Sequence, residues 1–204
     1  MEYLVTMTTQ VPDGTSAATV DDMRAREAAH SSELAAQRHL LRLWRPPLQP
    51  GEWRTLGLFA ADDPQQLEEV LASMPLRVWR TDEVTPLSPH PNDPKRPRSS
   101  GQGVEFVIRL TITVPEGTPA ETVEQLKTSE AARVSELAEQ GHVVRLWRPP
   151  AGPGEWRALG LWRAQDAAEM QAVLESLPLY GWFTVETTPL SVHPNDPADS
   201  SAVR

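Results

Sequence analysis

Cysteine is absent from the 204 residues, which removes disulfides, thiolate metal sites and cysteine nucleophiles from consideration. Basic charge is scarce: 19 Lys plus Arg stand against 28 Asp plus Glu, a formal net charge of -9. Nucleic acid and anionic membranes need a basic surface, so neither is expected as the main partner. An anionic small molecule stays open, because one arginine in a pocket outweighs net charge at a distance. No apolar run approaches the length of a membrane span, and Met1-Glu2-Tyr3-Leu4 lacks the basic start of a signal peptide. A cytoplasmic protein is expected. Phosphate-binding glycine loops and nucleophile elbows are missing too. The five histidines (His30, His39, His90, His142 and His193) show no metal-ligand spacing, so no metal is assigned.

What is present is a repeat. Leu43-Trp44-Arg45-Pro46-Pro47 and Pro50-Gly51-Glu52-Trp53-Arg54 return as Leu146-Trp147-Arg148-Pro149-Pro150 and Pro153-Gly154-Glu155-Trp156-Arg157. Glu2 to Pro94 aligns with Glu105 to Pro197 without a gap, and roughly half of the aligned positions are identical. A unit this long is a duplicated domain, not a solenoid repeat. The expected division is 1–94, a linker at 95–103, and 104–204. A single copy buries a modest core, so support from its twin is expected.

Each copy reads β-α-β-β-α-β. Phe106, Ile108, Leu110 and Ile112 alternate onto one face of the first strand. The first helix opens after a turn, with Thr118-Pro119-Ala120-Glu121 as a capping box in the second copy, and runs to about Arg38 or Gly141. The Leu-Trp-Arg strand, a Pro-rich hairpin loop and the Trp53 or Trp156 strand follow. A short helix capped by Asp63 or Asp166 then leads to a last strand expected from Leu76 or Leu179. This order is ferredoxin-like: an α+β fold with two helices on one face of a four-stranded antiparallel sheet. Two such domains in tandem are expected to pair as an intramolecular pseudo-dimer of the dimeric α/β-barrel type, with higher homo-oligomers open. The Ser-x-His-Pro-Asn-Asp-Pro tails carrying His90 and His193 read as segments that pack over the neighbouring copy rather than as catalytic histidines.

Two sets of residues are candidates for chemistry. Val123, Leu126, Glu130, Val134 and Leu137 share one helical stripe, as do Val20, Met23, Glu27, Ser31 and Leu34. A desolvated Glu27 or Glu130 would have a raised pKa suited to proton transfer; the plainer reading is a glutamate paired with a strand arginine or reaching solvent. Strand parity also puts Arg42 with Trp44, and Arg145 with Trp147, on the face away from the helices. There they would suit a carboxylate-bearing ligand, or simply form an interface between the copies.

Taken together, these residues resemble the muconolactone isomerase family. The points of contact are Val5-Thr6-Met7-Thr8, Leu126-Lys127-Thr128-Ser129-Glu130, the Leu-Trp-Arg strand, Gly-Glu-Trp followed by Phe59 or Trp162, Leu177-Pro178-Leu179 and the closing His-Pro. The resemblance implies single ferredoxin-like subunits that assemble into dimers and rings. It also implies a cofactor-free shift of a carbon–carbon double bond in an unsaturated lactone acid. By that resemblance Glu27 and Glu130 carry the proton, and Arg24 or Lys127 holds a substrate carboxylate or enolate oxygen. Trp53 and Trp156 stand on the third strand, beside Thr55 and Leu56 or Ala158 and Leu159, where the family tends to have Tyr and Asn. The expectation is a bulkier, oilier ligand handled by isomerisation or cyclisation. A non-catalytic binding or scaffold module and a cofactorless monooxygenase remain as alternatives.

Overall fold

A computed structural model describes residues 1–94 and 103–200. The proposed linker lies outside the described residues except for Gly103, which leads into the second copy. In the first repeat the elements are β1 (Glu2–Thr9), α1 (Ala17–Ala36), β2 (Leu40–Arg45), β3 (Arg54–Ala60), α2 (Pro64–Ser73) and β4 (Arg80–Pro89). The second repeat gives β5 (Val104–Ile112), α3 (Ala120–Gln140), β6 (Val143–Arg148), β7 (Trp156–Ala164), α4 (Ala167–Glu175) and β8 (Phe183–Val192), followed by a short α5 (Pro197–Ser200). The β-α-β-β-α-β order appears twice, with every strand pair antiparallel, as a tandem ferredoxin-like fold requires.

Two local expectations fail for identifiable reasons. The capping box of the second repeat does not form: Thr118 Oγ1 donates to the Pro115 carbonyl at 2.6 Å, and Pro119 takes the N-cap without a side-chain bond. In the first repeat Ser16 does cap its helix, accepting from Thr19 N. The last strands also start late. Pro75–Trp79 and Tyr180–Trp182 form 3-10 turns, so β4 begins at Arg80 and β8 at Phe183. Those turns prove essential to the site.

Contacts divide the described chain into units that differ from the repeats. The first unit comprises 1–87 with 191–204, and the second comprises 88–190. Each thus contains the closing segment of the other repeat. In the first unit Ser191 and Val192 pair with Arg45 and Trp44 of β2. In the second, Ser88 and Pro89 pair with Arg148 and Trp147 of β6.

A carboxylate fastens each exchanged segment. Asp196 is 1% exposed and receives the Arg42 guanidinium, with Nε at 3.1 and 3.2 Å from its two oxygens, and the Leu43 N–H at 3.0 Å. Asp93 meets Arg145 and the Leu146 N–H in the same way. The turn is built to present the aspartate. His193 O accepts from Asp196 N, and His193 Nδ1 accepts from Asn195 N; His90, Asn92 and Asp93 repeat both bonds.

On the helix side, Tyr3, Val5, Leu34, Leu43, Phe59 and Leu71 anchor the first core. Phe106, Ile108, Leu137, Leu146, Trp162 and Leu174 anchor the second. The helix α3 ends on Gly141 in the left-handed region, φ 90. The matching residue after α1 is Arg38, which adopts φ 61 with a side chain attached.

Two stability measurements follow from these features. Arg38→Gly removes a left-handed strain but loosens the unfolded chain, so urea denaturation should report a net gain of about 0.5–1 kcal/mol. Asp196→Ala strands a partly buried guanidinium and a backbone N–H, and should cost about 3 kcal/mol. Asp93→Ala should cost less, since Asp93 is 21% exposed at its side chain against 1% for Asp196.

Candidate active site

The sequence stripe on each long helix is the inward one. Glu27, Ser31 and Leu34 are the buried residues of α1, and Glu130, Val134 and Leu137 those of α3. Both glutamates are only 9% exposed. Each accepts a backbone hydrogen bond from the segment before the last strand: Leu76 N, within the first 3-10 turn, to Glu27 at 2.9 Å, and Leu179 N, at the N-cap of the second, to Glu130 at 3.0 Å. A late-starting strand thus supplies a backbone donor that a strand running from Leu76 would have used in its ladder.

Beside each glutamate lies a cavity, of about 590 Å³ in the first unit and about 600 Å³ in the second. Four of the expected site residues meet there in two matching pairs: Arg24 with Trp53, and Lys127 with Trp156. Arg24 Cζ stands 4.6 Å from the Trp53 ring centroid, and Lys127 Nζ stands 5.1 Å from that of Trp156. The other four are placed elsewhere. Arg42 and Trp44 share a face, as do Arg145 and Trp147, with guanidinium-to-ring distances of 4.7 and 4.9 Å. They are absent from both cavity linings, and their arginines hold Asp196 and Asp93. A shift of register between Leu40 and Arg42, and between Val143 and Arg145, sets that parity.

The two cavities differ where it matters for charge. In the first, Arg80 lies 3.2 Å from Glu27 Oε1 and is itself held by Asp82 at 2.6 and 3.0 Å. In the second, Phe183 and Val185 replace Arg80 and Asp82. Among the described residues no cation pairs with Glu130. Burial pushes both glutamates above the usual carboxylate range. For Glu27 the Leu76 N–H, Arg80 and His30 oppose that push, while Asp82 adds to it. For Glu130 only the Leu179 N–H opposes it. The plain reading of an inward glutamate, paired with a strand arginine, thus describes the first unit and not the second.

Two lining features went unassigned from sequence. Arg45 and Arg148, the arginines of the repeated Leu-Trp-Arg motif, reach the cavities from the helix-side face of their strands, together with the exchanged His193 or His90. Trp162 walls the second cavity where Phe59 stands in the first repeat. Among the described residues no cluster of three His, Cys, Asp or Glu is placed to hold a metal ion, and no helix is long and apolar enough to cross a membrane.

The family model for muconolactone delta-isomerase matches residues 1–93 and again 104–196. The chain belongs to that family. Muconolactone Delta-isomerase 1 of Acinetobacter lwoffii is 28% identical over 97 residues, which is 48% of this chain and 98% of the relative. The Cupriavidus pinatubonensis isomerase is 33% identical over 92 residues, 45% of this chain and 97% of the relative. These isomerases are therefore about one repeat long. A chlorite dismutase variant from Candidatus Nitrospira defluvii shares the fold along the whole chain, with TM-score 0.62 at 11% identity over 100% of this chain and 95% of that one.

In this two-copy muconolactone isomerase relative, the tail histidines are half-buried beside arginine. Burial first, and Arg148 or Arg45 second, push His90 and His193 down from 6.5 to about 4. Both rings should therefore be neutral at pH 7, each accepting a backbone N–H. A proton NMR titration should give midpoints near 4 for both; midpoints near 6.5 would mean that the rings are solvated.

Proposed function

We infer that the protein is a cofactor-independent isomerase, or a related proton-transfer catalyst, acting on a bulky unsaturated lactone or acid. Its working site is the cavity of the second unit. The observation that carries this reading is Glu130: a buried carboxylate with a raised pKa, one backbone donor and no pairing cation among the described residues, beside a lysine in a cavity. Membership of the muconolactone delta-isomerase family supports the reaction class.

The chemistry is a proton shift. The Glu130 carboxylate takes a proton from a carbon acidified by the conjugated carbonyl, and the C–H electron pair moves into a dienolate. The carboxylic acid so formed returns the proton to a carbon further along, and the double bond relocates with no net change of atoms or electrons. A pKa raised towards neutrality suits one group to both steps. Lys127 and Arg148 supply positive charge for a substrate carboxylate or for the developing enolate oxygen. The wall formed by Leu110, Ile112, Phe183 and Trp156 suits an apolar ligand body.

Glu27 is less fit for this work. Arg80 pairs with its carboxylate and favours its charged form, which makes it a weaker base. The first cavity is therefore assigned to ligand binding without turnover.

With a panel of unsaturated lactone acids beginning with muconolactone, turnover is read by loss of substrate and by deuterium uptake from heavy water. Glu130→Gln should lower kcat by about 10²–10⁴-fold, while Glu27→Gln should leave it within about twofold. Phe183→Arg, which supplies the second unit with the cation that Glu27 has, should cost about as much as Glu130→Gln. Full turnover by Glu130→Gln, or loss confined to Glu27→Gln, would refute the assignment. Because the base must be ionised, kcat/KM should rise with pH through a midpoint above the ordinary glutamate value of 4.5.

A further inference from the structure

The closing segment that each unit takes from the other repeat brings a histidine to a cavity. Ser88 and Pro89 pair with Arg148 and Trp147, and Asp93 clasps Arg145 and the Leu146 N–H. His90 lies between those two attachments and lines the cavity that holds Glu130. His193 enters the first cavity in the same way, between the Ser191–Arg45 pair and the Asp196 clasp. The turn decides which ring nitrogen carries the hydrogen. A backbone N–H can only donate, so Asn92 N to His90 Nδ1 and Asn195 N to His193 Nδ1, both at 3.1 Å, put a lone pair on Nδ1 and the hydrogen on Nε2. Both rings, held at about 4 by burial first and the neighbouring arginine second, are neutral at pH 7. Among the described residues neither Nε2 has a partner, and neither is sealed from solvent.

The cation beside each ring is uncommitted as well. In the second cavity Lys127 lies 2.9 Å from Glu124, and Arg157 lies 2.8 Å from Glu155. In the first, Arg54 lies 3.4 Å from Glu52, Arg24 lies 3.8 Å from Asp21, and Arg80 is held by Glu27 and Asp82. Arg148 and Arg45 line the same cavities with no acid at salt-bridge distance among the described residues. They are also the arginines whose charge bears on His90 and on His193, so the free guanidinium and the free N–H are neighbours. A cation and a neutral donor side by side match the two oxygens of a carboxylate. We propose that His90 Nε2–H and Arg148 together seat the carboxylate of the bound acid, and that His193 and Arg45 form the twin seat in the first unit. The role of the His90 seat in turnover rests on the reading of the second cavity as the isomerase site. With the carboxylate held there, Lys127 is left for the oxygen on which enolate charge develops. The seat is the same in both copies while the surroundings of the glutamates differ, so carboxylate binding is common to both cavities and proton transfer belongs to one.

The test measures binding by calorimetry in the full chain carrying Glu130→Gln, where turnover is slow, with muconolactone as the acid probe and its methyl ester as the uncharged one. Muconolactone should fill two sites per chain. His90→Asn is the discriminating variant: its side-chain oxygen stands where Nδ1 stood and still accepts from Asn92 N, while its amide falls short of Nε2. Its melting temperature should match that of the parent chain, since the turn keeps its acceptor. It should weaken one of the two muconolactone events about tenfold and leave the ester's affinity within about twofold. His193→Asn should do the same to the other event. In the chain with Glu130 intact, His90→Asn should raise KM about tenfold while kcat stays within about threefold, because a carboxylate is held equally in ground and transition states. Equal losses for acid and ester overturn the proposal by reducing the ring to a shape element. Unchanged affinity for both probes, or no muconolactone binding, overturns it outright. The parent reading fails separately: if Glu130→Gln keeps full turnover while His90→Asn still weakens the acid selectively, the proton carrier is misassigned and the seat stands.

Discussion

A single backbone-to-carboxylate bond, made twice, organises the functional side of this molecule. Leu76 N reaches Glu27 and Leu179 N reaches Glu130, 49 residues apart in each repeat. The bond ties the inward face of the long helix to the 3-10 turn that launches the last strand. It keeps a desolvated carboxylate in a defined rotamer without neutralising it, because a neutral donor offsets only part of the burial penalty. The residue that next approaches the carboxylate then decides its character. Arginine at position 80 makes an ion pair; phenylalanine at 183 leaves a carboxylate with no paired cation among the described residues.

Duplication relaxes the demand that both carboxylates do the same work. The shared features are scaffold features: the glycine beneath the aromatic ring, the Asp-capped short helix, and the aspartate that meets an arginine and a leucine N–H. The differences gather around the glutamates, in Arg24 against Lys127, Ser31 against Val134, Phe59 against Trp162, Arg80 against Phe183 and Asp82 against Val185. The first cavity is the more charged and internally paired, and the second is more apolar around an acid with no pairing cation among the described residues.

Much of this was legible in the sequence because it depends on periodicity. Strand alternation, the three-and-four spacing that turned Glu27 and Glu130 inward, and the repeat offset all survive folding unchanged. The capping box was not legible, because Thr118 had a competing acceptor in Pro115 and Pro119 displaced it from the cap. The ion pair of Glu27 with Arg80 joins residues 53 positions apart, and only the fold brings them together. Arg42 and Arg145 sit on the expected face, yet their partners come from the far end of the other repeat, which strand parity cannot reveal. Trp162 figured only as a point of family resemblance, because Phe to Trp between repeats reads as conservative. The fold makes it a wall of the second cavity.

The exchange of closing segments has an evolutionary consequence. His90, Pro91 and Asn92 belong to the first repeat by descent, but they line the cavity around Glu130. A first copy released from chemistry would ordinarily be free to decay or be deleted. Here its last residues form part of the wall of its sibling's cavity, and the second copy's tail returns the arrangement. A single-copy descendant would need a second copy of itself to supply that wall, and the identical His-Pro-Asn of either tail could serve.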